Sequence, residues 1–475
     1  MSHNSPERIH EQAKEALADH ALRQNFRGAM DYLRNKRVEA FPDKTEEKAV
    51  RDRAEAIRQR CLSKLPELLE KLEAQCLRNG IQVHWAQNAE DANAIFAEIA
   101  TRKHATLMVK GKSMVSEEIE LNHHMEKRGV HCLESDMGEY IVQLDGDTPS
   151  HIIMPSIHKN KQQVSDTFEH NIADFKPTTD VDSLIQTGRR MLRQAYQDAE
   201  IGVSGVNFAV AETGTLCLVE NEGNGRMCTT IPETHIAITG IEKVVEFLTD
   251  VPPLYSALTR SATGQVITTY FNMISGPRKE NELDGPKEVH LILLDNGRSQ
   301  AYHDTEMRKT LQCIRCGACM NHCPVYTRIG GHAYGTVYPG PIGKIISPHL
   351  MGLDKTKDLI TASSLCGACE EVCPVRIPIP SLLQRLRQES KNKADSDHEP
   401  LNGQDAANNT LEKVAMKGFA FAATHPTVYH TALDTARKMN GVIPNNLGSW
   451  TQCRTKPKLA KTSLKKKLAQ RGEKS

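Results

Sequence analysis

Seven of the thirteen cysteines, Cys313, Cys316, Cys319, Cys323, Cys366, Cys369 and Cys373, fall between positions 313 and 373. They constrain the chain more than any other feature. The segment CIRCGACMNHCP spaces the first four as C-x2-C-x2-C-x3-C-P. Three thiolates separated by two residues wrap one cubane, and the fourth is carried away to a neighbouring cluster. Downstream, LCGACEEVCPV repeats the pattern without its first member. Two such units predict two iron-sulfur clusters. By the ligand exchange of two-cluster ferredoxins, Cys313, Cys316 and Cys319 take Cys373, while Cys366 and Cys369 take Cys323. The second cluster is then one thiolate short. Ser363, followed by Ser364, stands at the missing position. A serine oxygen, solvent, another side chain or a three-iron core would complete the site, and the spacing does not choose among them. A zinc ribbon, with two C-x2-C knuckles closing one tetrahedron, fits this pattern poorly.

The rest of the composition narrows the class. With 60 Lys and Arg against 59 Asp and Glu, the net charge is +1, so the chain lacks the surplus of a general nucleic-acid binder. No apolar run reaches the roughly 20 residues of a membrane span. The first residues, MSHNSPERIHEQAKEALADH, mix both charge signs without an apolar core. They read as neither a secretory signal nor a transit peptide, which implies a cytoplasmic location. In such a compartment cysteine clusters serve metals or catalysis rather than disulfides. The scattered Cys61, Cys76, Cys132, Cys217, Cys228 and Cys453 read as buried small hydrophobes.

Periodicity divides the chain into an N-terminal helical segment (1–60) breaking at Phe41-Pro42-Asp43, an α/β domain (61–297), a cysteine domain (303–390), and a linker with a helical C-terminal domain (391–475). Leu65, Leu68, Leu69, Leu72 and Cys76 keep helical spacing up to Asn79-Gly80. The runs IQVHW, TLMVK, VHCLE and HIIMP alternate with helical stretches, predicting a largely parallel sheet. IGVSGVNFAVAETGTLCLVENEG predicts strands around a turn at Glu212-Thr213-Gly214, and THIAITG, QVITTYFNMI and EVHLILLD predict further strands. The last twenty residues carry eight Lys or Arg against one Glu. That is a solvated tail, or a docking arm for an acidic partner or membrane surface.

Other chemistry is thinner. Lys110, Lys112 and Ser113 stand at a strand end leading into a helix, a place suited to a carboxylate or phosphate. A helix cap at Ser113 with two exposed lysines explains the same residues. Glu212 reads equally as a general base and as a turn carboxylate. Gly343-Lys344 resembles a phosphate-binding loop but has Tyr338 for its first glycine and Ile345 for its Ser/Thr. His332 reads as a structural histidine, with proton donor and missing cluster ligand as alternatives.

Taken in order, VKGKSM, GVNFAVAETGTL, CIRCGACMNHCPVYTRIGGHAYGTVYPGPIG and SSLCGACEEVCPVRIPI resemble the lactate-utilisation protein B family over about residues 20–450. The resemblance implies a LUD domain related to the sugar-isomerase and CoA-transferase type of α/β fold, a mostly helical two-cluster ferredoxin domain and a family-specific helical C-terminal domain. It implies two 4Fe-4S clusters, with only three cysteines in the second motif as in the family pattern. It also implies partners, a cysteine-rich protein A and a LUD-domain protein C, in bacterial oxidation of L-lactate to pyruvate. The electron acceptor is not implied. Under that expectation Lys110, Lys112 and Glu212 are a candidate LUD substrate pocket. The rival readings are an iron-sulfur subunit for another 2-hydroxy acid, glycerol-3-phosphate or disulfide substrate, and a non-enzymatic redox sensor.

Overall fold

The computed structural model describes residues 5–390 and 410–439, with scattered positions between 446 and 471. The first three long helices are His20–Ala40, Lys44–Ser63 and Leu65–Arg78, after a shorter one at Ile9–Ala18. Asp19 and Asp43 cap the two longest, accepting hydrogen bonds from Leu22 N (2.9 Å) and Thr45 N (2.8 Å). Such caps satisfy amides that a helix start leaves unpaired. The break at Phe41-Pro42-Asp43 falls between them, as the sequence predicts.

Ten strands follow: β1 (Ile81–Ala86), β2 (Leu107–Lys110), β3 (His131–Glu134), β4 (Ile201–Gly205), β5 (Phe208–Val210), β6 (Thr215–Glu220), β7 (Thr234–Gly240), β8 (Val244–Val245), β9 (Tyr270–Ile274) and β10 (Glu288–Leu294). Six form a parallel sheet in the order β1-β10-β7-β4-β2-β3. Every residue of β7 is buried, and nearly all of β4 and β10. A parallel sheet covered on both faces requires such continuous burial. One face packs on Phe96, Ile99, Leu121 and Met125, and another core gathers Tyr140, Phe168, Leu192 and Tyr196. The remaining four strands form a small sheet, β8-β5-β6-β9, in which β5 and β6 are the hairpin around Glu212-Thr213-Gly214.

One predicted strand is absent. HIIMP, at 151–155, forms bends and turns. His151 Nδ1 accepts the backbone amides of Ile153 (3.0 Å) and Met154 (3.2 Å). With those amides turned onto a side chain, no ladder can form.

After β10, Gly297 turns the chain at φ +84°, where a side chain would meet the His349 carbonyl. The cysteine segment that follows is built of short helices around one longer helix, Gly340–Met351, whose residues 340–349 are all buried. Its apolar side chains share one core with the N-terminal helices and the small sheet, running from Ile9 and Phe26 through Leu216 and Val244 to Leu386. Residues 1–404 form one compact unit, and 405–475 a second. Described helices of the second are Thr410–Thr424 and Pro426–Lys438. The expected linker and most of the basic tail lie outside the described residues. Among those residues, no helix is long and apolar enough to cross a membrane.

Candidate iron-sulfur centre

The two cysteine motifs adopt one backbone conformation twice. Arg315 (φ +60°) and Gly317 (φ +74°) flank Cys316, and Leu365 (φ +54°) and Gly367 (φ +84°) flank Cys366. Each glycine opens a four-residue helix, Ala318–Asn321 or Ala368–Glu371, which carries Cys319 or Cys369. A left-handed residue on each side of the central cysteine folds the loop so that amides face the sulfurs. Arg315 N donates to Cys313 Sγ at 3.4 Å, Tyr326 N to Cys323 Sγ at 3.5 Å and Ile377 N to Cys373 Sγ at 3.4 Å. In the second motif Leu365 N donates to Ser363 Oγ at 3.2 Å. Ser363 therefore makes the same i to i+2 contact through oxygen that Cys313 makes through sulfur.

The thiols separate into two groups. Burial raises Cys316 and Cys319, and the charges of Cys313 and Cys373 raise both further. Cys373 is pushed up to about 12, first by burial and then by Cys313. Cys369 is pushed up to about 11, first by burial and then by Cys323, with Cys366 adding to it. Cys366 is exposed and lowered, by the Ala368 amide first and then by the Ser364 hydroxyl. Buried thiolates crowded together repel one another unless a cationic core lies between them. The donor set therefore fits two iron-sulfur cores: Cys313, Cys316, Cys319 and Cys373 would hold one, and Cys323, Cys366 and Cys369 would contribute to the other. Of the scattered cysteines, Cys61, Cys76, Cys132, Cys217 and Cys228 are buried, and Cys453 lies outside the described residues.

Cations surround the first group. Arg58, fully buried, donates to the carbonyls of Leu311 (2.9 Å), Gln312 (3.3 Å), Glu242 (2.5 Å) and Val244 (3.2 Å). Arg51 Nε reaches Cys373 O at 3.1 Å, and Lys243 Nζ reaches Cys313 O at 3.4 Å. Arg315 stacks over the Tyr338 ring at 4.5 Å and pairs with Glu242 at 3.3 Å. Glu242 also binds Arg298 (2.6 Å), which grips Glu118 through two bonds of 2.8 Å, and Tyr338 Oη donates to Glu118 at 2.8 Å. This buried chain ties the α/β portion to the cysteine segment. Nothing in the sequence singles out its members, because each partner is distant along the chain.

Lys344 takes a place no phosphate-binding loop would give it. It is fully buried on helix Gly340–Met351, donates to the Ala362 carbonyl and sits 5.4 Å from the Tyr334 ring. Burial pushes its amine below the usual lysine range, against the pull of Cys323, Cys369 and Cys319.

The candidate pocket residues are placed as follows. Lys110 ends β2 beside Glu134 of β3. Its ammonium meets Glu117 (2.5 Å), Glu134 (2.8 Å) and Ser116 (3.0 Å). Those three contacts use all three of its donors. Lys112 donates to Ile153 O at 2.7 Å and faces Asp136 at 3.4 Å, and Ser113 caps the helix Met114–Glu118. Glu212 lies on the turn of the small sheet and accepts from Leu248 N at 2.9 Å. The structure thus gathers Lys110 and Lys112 at one strand end and sets Glu212 on the other sheet. His332 packs against His158 and bonds Thr148 O at 2.6 Å.

Fold and site together define an α/β protein with a dicluster iron-sulfur module. The LUD domain family matches residues 69–294, a 4Fe-4S dicluster domain 309–377, and the C-terminal domain of lactate utilisation protein B 385–473. The chain is 41% identical to lactate utilization protein B of Anoxybacillus flavithermus over 98% of both chains. It is 40% identical to that of Bacillus subtilis, over 97% of this chain and 96% of the relative. It is also 45% identical to the uncharacterized electron transport protein YkgF of Escherichia coli, over 81% and 78%. The chain belongs to the lactate utilization protein B family. Among solved structures, a DUF162 family protein from Deinococcus radiodurans aligns at 14% identity with a TM-score of 0.29, over 48% of this chain and 98% of that one.

Proposed function

We propose that this chain is the iron-sulfur electron-transfer subunit of a cytoplasmic complex that oxidises L-lactate to pyruvate, acting with lactate-utilisation proteins A and C. The observation that carries the reading is the pair of crossed thiol groups in a chain of this family. Lactate oxidation releases two electrons and two protons, and two adjacent one-electron centres suit that demand. The chain's own residues supply burial, amide donors to sulfur and the cationic surround of Arg51, Arg58 and Arg315. Cys373 completes the first cluster and Cys323 belongs to the second.

Ser363 is the fourth ligand of the second cluster. The matching backbone and the matching amide contact at Cys313 and Ser363 support this. The Ser363→Ala variant, purified without oxygen, is expected to lose about one iron and gain a three-iron spin-resonance signal, and Ser363→Cys to keep the full iron content. An Ala variant with unchanged iron and spectrum contradicts the assignment.

The function is tested by combining the three purified proteins and adding L-lactate. Bleaching of this chain's visible absorption, dependent on both partners, is the expected result. Clusters that stay oxidised in the complete complex overturn the lactate reading, and a panel of other 2-hydroxy acids then identifies the donor.

A further inference from the structure

Outside the cysteine motifs, three side chains from distant segments converge. Asp147 and His158 belong to the loop region after the helix Met137–Leu144, and His332 follows the first cysteine motif. His158 Nε2 lies 3.0 Å from Asp147 Oδ2, and His332 Nε2 lies 3.6 Å from Asp147 Oδ1. The two imidazoles meet edge to face with centroids 4.6 Å apart.

Ser150 Oγ lies 2.8 Å from His158 Nδ1 and 3.3 Å from Pro155 O. When the hydroxyl gives its proton to Pro155 O it accepts Nδ1–H, and Nε2 then turns a lone pair toward Asp147, the state in which His158 can take a cation. His332 Nε2 donates to Thr148 O at 2.6 Å and faces the other carboxylate oxygen, so an ion bound there replaces that proton. A proton on each ring would bring two imidazolium charges together, whereas one divalent ion serves both rings and the carboxylate.

We infer that Asp147, His158 and His332 form a binding site for a divalent transition-metal cation of the zinc type, separate from the iron-sulfur ligands. Tetrahedral zinc with bonds of about 2.0–2.1 Å sets its ligands about 3.3 Å apart, and the observed 3.0 and 3.6 Å bracket that edge. The bond from His158 Nδ1 to Ser150 is the outer support that fixes a ligating imidazole. Lys159 lies 3.8 Å from Asp147, but its close partner is Asp145. With neutral imidazoles, the two aspartates and one lysine leave a single negative charge to meet the ion. Solvent is available for the remaining position.

The site clips the 147–158 loop to the cysteine segment. The two already touch closely: Tyr326 Oη donates to Ser150 O at 2.6 Å, and a side chain at Gly331 would collide with that same carbonyl. Tyr326 in turn gives its amide to Cys323 Sγ. The bound ion therefore steadies the wall beside Cys323. This inference does not depend on the lactate reading.

The test uses the cluster-loaded full chain, prepared without oxygen and dialysed against zinc held at a fixed free concentration by a chelator. About one zinc per chain is expected, with iron and sulfide unchanged. Zinc-edge X-ray absorption should show only nitrogen and oxygen neighbours at about 2.0–2.1 Å. Asp147→Asn and His158→Gln should retain zinc at least tenfold more weakly. Absence of zinc from the wild-type chain, sulfur in the zinc shell, or equal retention by the variants overturns the proposal. The absorption measurement on the wild-type chain stands even if a variant fails to fold.

Discussion

Lys344 shows how one side chain acts on both thiol groups at once. It is an ammonium without solvent, held by a carbonyl and an aromatic face, and it lies within electrostatic reach of Cys319, Cys323 and Cys369. An anionic cluster gains negative charge on reduction, so a nearby cation favours the reduced form. Replacing Lys344 with Met should lower the reduction potential by on the order of 50–100 mV, the scale of one nearby unit charge at an effective dielectric near 20. Lys344→Arg should restore most of it. Potentiometric spin-resonance titration reads the shift, and equal potentials in all three proteins would remove Lys344 from the account. The sequence rules Gly343-Lys344 out as a phosphate-binding loop but does not reveal what Lys344 does, since the burial that defines it comes from residues far away. The cysteines are the opposite case. Their spacing within each motif is itself the geometry of the site, so they are legible without the fold.

At the scale of elements, the strands with continuous apolar runs are legible because burial on both faces leaves no alternative pattern. HIIMP misleads for a physical reason, since its apolar run is bent by His151, whose ring nitrogen takes the amides a ladder would need. The repeat of the two cysteine loops is half legible: spacing gives the register, but the left-handed residues Arg315 and Leu365 are not recognisable as such. The helix Lys44–Ser63 illustrates what stays hidden. The decisive residue on its buried face is Arg58, which binds carbonyls of Glu242, Val244, Leu311 and Gln312. Truncating it in Arg58→Met strands those acceptors and should cost about 3 kcal/mol of stability. Denaturant unfolding of the cluster-loaded chain measures this, and a loss within error of zero would show that the carbonyls find other partners.

For the molecule as a whole, the link between the α/β portion and the cysteine segment is electrostatic as well as apolar. Burial would raise the Glu242 carboxyl, but Arg298 first, then Arg315 and Lys243, hold it down at about 2. A carboxyl depressed in the folded state stabilises above its ordinary range and loses that contribution as pH falls toward the folded value. Glu242 should therefore contribute on the order of 3 kcal/mol at neutral pH, fading between about pH 4.5 and 2. The stability gap between wild type and Glu242→Gln should narrow across the upper part of that window. A gap that stays constant with pH would mean that the guanidinium chain does not depress this carboxyl. The α/β architecture, the expected two-cluster segment and the family were all legible in the sequence. The buried network joining them was not, because Glu118, Glu242, Arg298, Arg315 and Tyr338 carry no local signal.

Electron transfer by this chain requires that the seven cysteines hold two iron-sulfur clusters within one folded unit. Iron and acid-labile sulfide analysis of the full chain, purified without oxygen and paired with low-temperature spin-resonance spectra of the reduced form, tests it most directly. About eight iron and eight sulfide per chain and the broadened spectrum of two interacting centres are expected. Iron sufficient for a single cluster, or zinc bound by sulfur in place of iron, would contradict it.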